Sequence, residues 1–257
     1  MIELSLVGML WATGLMAIAI GLASWQRLGL SKMLAIATGR TLVQLLGVGV
    51  VLAFVFETRS LLIILAVLIA MVTIAATVAR SRIDRDLPRL LKWVWIAIFS
   101  SGLITMTYVS LLVIRPDPWY DPRYLIPLSG IVLGNAMTAA SIAGERLVNA
   151  LRNNRIEIET HLSLGATPAQ AVQAYRQEAI KAGLIPTINA MMVVGLVTLP
   201  GIITGQLLAG ADPLTAAVYQ ILIMFMLALA TLIAALVVTY GIVKQFFTSA
   251  MQLVDPR

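Results

Sequence analysis

Long apolar runs separated by short polar intervals dominate the chain, and their lengths set its architecture. A hydrocarbon core about 30 Å thick takes roughly 20 apolar residues as a helix. Within it only helices or closed barrels satisfy every backbone polar group. Runs of that length predict seven spans, over residues 4–24, 34–56, 61–79, 93–114, 125–143, 184–203 and 214–242. The runs are continuous rather than alternating, which excludes a membrane β-barrel. The expected fold is an all-α polytopic membrane protein, one transmembrane domain over residues 1–257. The first run follows Glu3, has no basic leader and no cleavage motif before Trp25 and Gln26, so it reads as a retained span rather than a signal peptide.

Charge then orients the spans. Fifteen of the 18 Lys and Arg residues fall in the intervals 25–40, 80–92 and 144–183 and in the tail from 243; the other side holds Arg59, Arg115 and Arg123. The positive-inside rule therefore places the N-terminus outside and the C-terminus in the cytoplasm. Composition agrees with a multi-pass protein of the inner (plasma) membrane: hydrophobic residues make up 60% and charged residues 12%, against about a quarter charged in soluble domains. The mean hydropathy is +0.95. The net charge of +6 follows from topology and attraction to anionic membrane lipid, not from nucleic-acid binding. The segment 115–124, RPDPWYDPRY, is a stiff turn that seats aromatic rings at the interface.

The least membrane-like stretch is 156–186, which reads as two helices meeting at a break. The fifth span is expected to continue as a polar helix to about Leu164, with Gly165 ending it in a left-handed conformation. Thr167, Pro168 and Gln170 then restart a helix as N-cap, first helical residue and capping-box partner. Gly183 and Pro186 are expected to end this second helix before the sixth span. The result is a cytoplasmic helical elbow between spans five and six. It either docks into a partner or lies as an amphipathic surface on the headgroups. The spacing of Glu159 and Gly165, followed by Ala166, resembles the first half of the coupling-loop pattern of ABC importer permeases. The second half departs from it, because a longer helix over 169–182 replaces a short connector. The candidate coupling residues are Glu159, Leu162, Leu164, Gly165, Ala166 and Thr167.

Polar residues within apolar spans mark either pathways or helix contacts. Arg40 and Gln44 lie one turn apart in the second span, where snorkelling of Arg40 competes with a transport role. The fifth span carries Gly130, Gly134, Asn135, Thr138, Ser141 and Glu145, and Gly130-xxx-Gly134 has the spacing that lets helices approach closely. Asn135-Ala136-Met137 recurs as Asn189-Ala190-Met191 in the sixth span, followed by Met192. Amide oxygens beside thioethers form a borderline to soft set that can pass a transition metal without trapping it. Core packing is the competing reading of the methionines. The candidate pathway is thus Arg40, Gln44, Asn135, Met137, Thr138, Asn189, Met191 and Met192, with no metal-ligand set assigned. Between the last two spans, Pro200, Gly201, Gly205, Gly210, Asp212 and Pro213 predict a break or re-entrant turn near the outer face, with Asp212 as N-cap of the last span.

Catalytic machinery is not expected. Cysteine is absent and His161 is the single histidine, which excludes disulfides, thiolate sites and an ordinary zinc site. No GxxxxGK[ST], HExxH or Ser/His/Asp arrangement occurs, so no catalytic residue or cofactor is assigned to this chain.

Five motifs in order carry a likeness: Gly134-Asn135-Ala136-Met137, Leu162 to Thr167, Val194 to Gly201, Ala209 to Pro213, and Tyr219-Gln220-Ile221. Together they resemble the FetB-like iron-export ABC permeases and the related plant aluminium-tolerance permeases, from about Gly39 to Phe246. The resemblance implies a permease homodimer that pairs with two copies of a separate cytoplasmic ATPase, where ATP and magnesium are bound, and a role in metal homeostasis with iron as cargo. Export of an organic or nucleotide-linked solute by the same machine is the alternative. A partner-free carrier or channel is the alternative of another class.

Overall fold

Apart from two isolated bridges, Val194 with Thr198 and Phe247 with Leu253, the regular structure is helical in the computed structural model, which describes residues 6–58, 60–248 and 250–255. The helices are α1 (Leu6–Trp25), α2 (Ser31–Thr58), α3 (Leu61–Ile83), α4 (Leu90–Tyr108), α5 (Pro122–Asn153), α6 (Arg155–Ser163), α7 (Pro168–Ala171), α8 (Gln173–Val193), α9 (Gly201–Leu208) and α10 (Pro213–Phe246). A π-helical segment, Val109–Ile114, extends α4. Among the described residues five helices are long and apolar enough to cross a membrane: α2, α3, α4 with its π segment, α5 and α10. The apolar α1 covers the first expected span, of which residues 4 and 5 lie outside the described residues. Contacts divide the chain into a unit up to Ser60, in which α1 packs on α2, and a unit from Leu61 onward.

In the second unit α5 is the central helix, in contact with α3, α4, α8 and α10. Its inward stripe is small: Ala136, Ala139, Ala140 and Ala143 are buried, and Ala230, Ala234 and Ala235 of α10 are buried without exposure. Small side chains bring helix axes together where lipid supplies no hydrophobic drive for helix association. The tightest approaches are at glycines. A Cβ on Gly183 would lie 2.8 Å from the Ala139 carbonyl oxygen and 3.0 Å from Ala143 Cβ, and one on Gly144 would lie 2.6 Å from Ile83 Cδ1. Gly241 of α10 leaves room for the indole of Trp93, which meets Tyr240 edge-on at 5.7 Å. The Gly130-xxx-Gly134 pair does not make such a contact within the chain. A Cβ on Gly130 would stand 3.3 Å from Met71 Cε, and Gly134 faces open space.

The sixth expected span, 184–203, is not one helix. Gly183 and Pro186 do not end the helix before it; both lie inside α8, which begins on the polar side at Gln173 and stops at Val193. Glycine is needed at 183 for the contact with the Ala139 backbone, and α8 accommodates Pro186 without ending. The chain instead turns at 194–200, where Gly195 has φ +81° and the Val197 and Thr198 amides both return to the Val193 carbonyl. Pro200 then caps the short α9, so Gly201 and Gly205 are helical residues rather than breaks. Gly210 at φ +88° does end α9. Asp212 is the N-cap of α10 as expected, accepting 2.9 Å from the Thr215 amide, with Pro213 at the first helical position.

At the opposite end of α5, three segments converge on Arg152. Its guanidinium donates to Asp84 from the turn after α3 at 2.6 Å and to both oxygens of Asp255 at 3.2 Å, and it lies 5.9 Å over the Phe246 ring. The tail after α10 is thereby tied to α5 and to the α3–α4 turn.

The glycine contacts give a discriminating test. Gly183→Leu overpacks the α5–α8 contact and is expected to cost about 1–3 kcal/mol, seen as a lower melting temperature of the detergent-purified protein. Gly134→Ala enters open space and gains helix propensity, so its melting temperature stays equal or rises. Equal behaviour of the two variants would contradict the packing.

Candidate functional site

The exposed turn between α6 and α7 is built from local capping and held by the core beneath it. The α5 helix ends at Asn153, one interruption earlier than the continuous helix expected to Leu164; Asn154, at φ −110° and ψ 30°, separates it from α6. Gly165 has φ +92°, a backbone that favours glycine. After it the capping box is complete: the Gln170 amide donates to Thr167 Oγ1, and Gln170 Oε1 accepts from the Thr167 amide at 2.9 Å. On either side Ile158, Ala171 and Val172 are buried in the main core, and Leu162 and Ala166 pack half-buried against it. Leu164, by contrast, is 81% exposed and Ile156 83% exposed. Of the six candidate coupling residues, the turn therefore presents Leu164, Gly165 and Thr167 outward and roots itself through Leu162 and Ala166. Glu159 is paired to Arg155 at 2.7 Å on its own helix.

Three contacts fix the first half of α8 behind this turn. Arg176 donates from Nε to Thr239 Oγ1 and from Nη2 to the Leu236 carbonyl, both at 3.2 Å, joining α8 to α10. Tyr175 is hydrogen-bonded to Glu157 of α6. Burial first, then that bond and the charges of Glu157 and Glu178, push its phenol up to about 12. Gly183 seats the same helix on α5. The base of the turn is thus joined to α5 and α10 by short contacts. Neither Arg176 nor Tyr175 was among the candidate residues; the signal available was an adjacent Tyr-Arg pair in the first turn of α8.

The candidate pathway residues are placed more loosely. Arg40 and Gln44 lie exposed on α2. On α5, Asn135 is half-buried and donates to the Ile131 carbonyl at 2.9 Å, while Thr138 bonds the Gly134 carbonyl at 3.1 Å. Asn189 and Met192 are exposed on α8. The thioethers do not converge: Met137 packs against the main core, whereas Met191 packs with Ile131 on a separate cluster of Ile223, Met224 and Leu227. Asn135 on α5 and Asn189 on α8 thus form no ligand set with the thioethers. Among the described residues no group of three or more His, Cys, Asp and Glu side chains could hold a metal ion. Sequence reasoning missed Gln220 of α10, which is buried and whose Oε1 has no hydrogen-bond partner; Gln206 Oε1 of α9 is likewise buried and unpartnered. A lone amide inside an otherwise apolar helix was the signal that could have found Gln220.

Comparison with known proteins places this architecture. Residues 6–247 match the family described as "Uncharacterised protein family (UPF0014)". A UPF0014 membrane protein of Synechocystis sp. is 50% identical over 253 residues, covering 98% of each chain. The probable iron export permease protein FetB of Escherichia coli is 32% identical over 240 residues, covering 93% of this chain and 91% of its own. Protein ALUMINUM SENSITIVE 3 of Arabidopsis thaliana is 34% identical over 236 residues, with 92% and 85% covered. No solved structure matches. With the match spanning nearly the whole chain, and with helices long enough to cross a bilayer, this is a multi-pass membrane protein belonging to the UPF0014 family.

Proposed function

We propose that the chain is the permease subunit of an ABC exporter that moves a metal ion, iron first, out of the cytoplasm, with ATP hydrolysed by a separate partner. The observation that carries the coupling half of this reading is the turn at 164–167. It is an exposed apolar tip on a capped break whose flanks are locked into α5, α8 and α10 by Ile158, Arg176 and Gly183. Such an element suits a docking site that transmits force, because the tip is free to be gripped and the base is too tightly packed to yield separately. The charge asymmetry of the chain supports a cytoplasmic position for it, and hence a cytoplasmic helical elbow. The name of the Escherichia coli relative supports iron as the cargo and export as the direction.

In this reading two permeases and two ATPases form the working machine. Closure of the ATPases would draw on Leu164 and the Gly165 turn, and α8 would carry the motion to α5 across the Gly183 contact. In that motion Asn135 on α5 and Asn189 on α8 would be exposed to the cargo path in turn. The permease itself performs no bond-making step; its contribution is a change of packing between helices.

Gly165→Pro, which cannot adopt φ +92°, or deletion of residues 162–168, is expected to abolish permease-stimulated ATPase activity in a reconstituted pair while membrane insertion is unchanged. Activity equal to the parent pair would remove the coupling role, and transport by the parent chain alone in liposomes would select a partner-free carrier. For the path, Asn135→Ala and Asn189→Ala are each expected to lower iron efflux severalfold with expression and melting temperature retained. Normal iron efflux from both would remove them as path residues.

A further inference from the structure

A groove of about 650 Å³ opens on the second unit between α3, α4 and the start of α5. Its volume lies within the roughly 300–1,000 Å³ of small-molecule sites, but its chemistry is unlike theirs. Leu65, Ile69, Phe99, Leu103 and Met106 represent a wall that is almost entirely carbon, with Thr107, Ser110 and Ser129 as the hydroxyls near it. A polar solute finds too few partners there. The lining from Phe99 to Leu111 extends about 18 Å at 1.5 Å per residue, slightly more than one leaflet of a hydrocarbon core about 30 Å thick.

The groove ends at a rim with interfacial character. Trp119 lines it and meets Tyr120 edge-on at 5.6 Å, the aromatic placement expected at headgroup depth. Two cations adjoin that rim along the chain. Arg115 directly follows the π segment that contributes Ser110 and Leu111, and Arg123 lies in the first turn of α5, just before Leu125 of the wall. Both are exposed, and neither forms a salt bridge among the described residues. Of the two carboxylates on the same turn, Asp121 is engaged by the start of α5, accepting from the Arg123 amide at 2.9 Å, and Asp117 is exposed.

We propose that this groove is a phospholipid site, with one acyl chain along α4 between α3 and α5 and the lipid phosphate held at the Arg115 and Arg123 rim. An acyl chain matches the length, the carbon lining and the open side of the groove, and the phosphate matches the two unpaired guanidinium groups. The bound chain fills the groove left beside α3, α4 and α5, which already pack on one another pairwise. The site therefore stabilises the helices that support the α5 contacts, and it is independent of any cargo or ATPase partner.

The test uses the full-length protein reconstituted with phosphatidylglycerol carrying a photoactivatable diazirine in one acyl chain, followed by mass-spectrometric mapping of adducts. Adducts are expected on Leu103, Met106 and Leu125 severalfold above those on Ile74 and Phe225, apolar residues exposed elsewhere. Leu103→Trp, a filling substitution at a half-exposed wall position, should abolish groove adducts while leaving those at Ile74 and Phe225. The double substitution Arg115→Ala and Arg123→Ala, which does not enter the wall, should lower groove labelling selectively. Uniform labelling of all apolar surfaces, absence of groove adducts because another protein segment covers it, or groove labelling indifferent to both variants would each overturn the proposal.

Discussion

The structure of the second unit depends on the backbone approach of α8 to α5 at Gly183. A helix whose glycine sits against the Ala139 carbonyl and the Ala143 methyl is held at a distance that no larger residue permits. On the polar side of that contact Arg176 ties α8 to α10, on which α8 also packs directly, and the α6–α7 turn is rooted through Ile158, Ala171 and Val172 in the same core. Dispersion between closely packed small residues is what binds helices that a bilayer would not otherwise press together.

This packing also explains the division of labour along the chain. Apolar faces of α5 and α10 form a buried alanine seam, within which the hydroxyls of Ser141, Thr231 and Thr239 bond carbonyls of their own helices, and charged groups are found at its foot. At one end Arg152 gathers Asp84, Asp255 and Phe246, fixing the tail and the α3–α4 turn to the foot of α5. At the other, α9 and the turns around it lie beside α10, where the Oε1 atoms of Gln206 and Gln220 are buried without a hydrogen-bond partner. Each ion pair at the foot costs desolvation, but a guanidinium shared by two carboxylates satisfies more of its donors than a single pair would.

Local signals were legible in the sequence, and contacts between distant segments were not. The capping box at Thr167 and Gln170, the left-handed Gly165 and the N-cap Asp212 each depend on residues within a few positions, and each stands where the local pattern placed it. The helix through Gly183 and Pro186 was misread because the same residues serve two purposes. Glycine ends helices by its backbone freedom, but it also permits close approach, and only the position of Ala139 distinguishes these uses. Gly130-xxx-Gly134 shows the converse, since its spacing allows a close contact without specifying a partner, and none among the described residues faces Gly134. Met137 and Met191 share a motif but pack on different clusters, a difference that the motif alone does not carry.

The central claim is that the tip at Leu164 is gripped by a cytoplasmic partner, and the absence of cysteine makes it directly measurable. A single Leu164→Cys thiol can be labelled with a membrane-impermeant maleimide in inverted and right-side-out vesicles, with and without the co-expressed ATPase. The account predicts labelling from the cytoplasmic face alone and strong protection when the ATPase is present. Labelling from the outer face, or equal labelling with and without the ATPase, would contradict it.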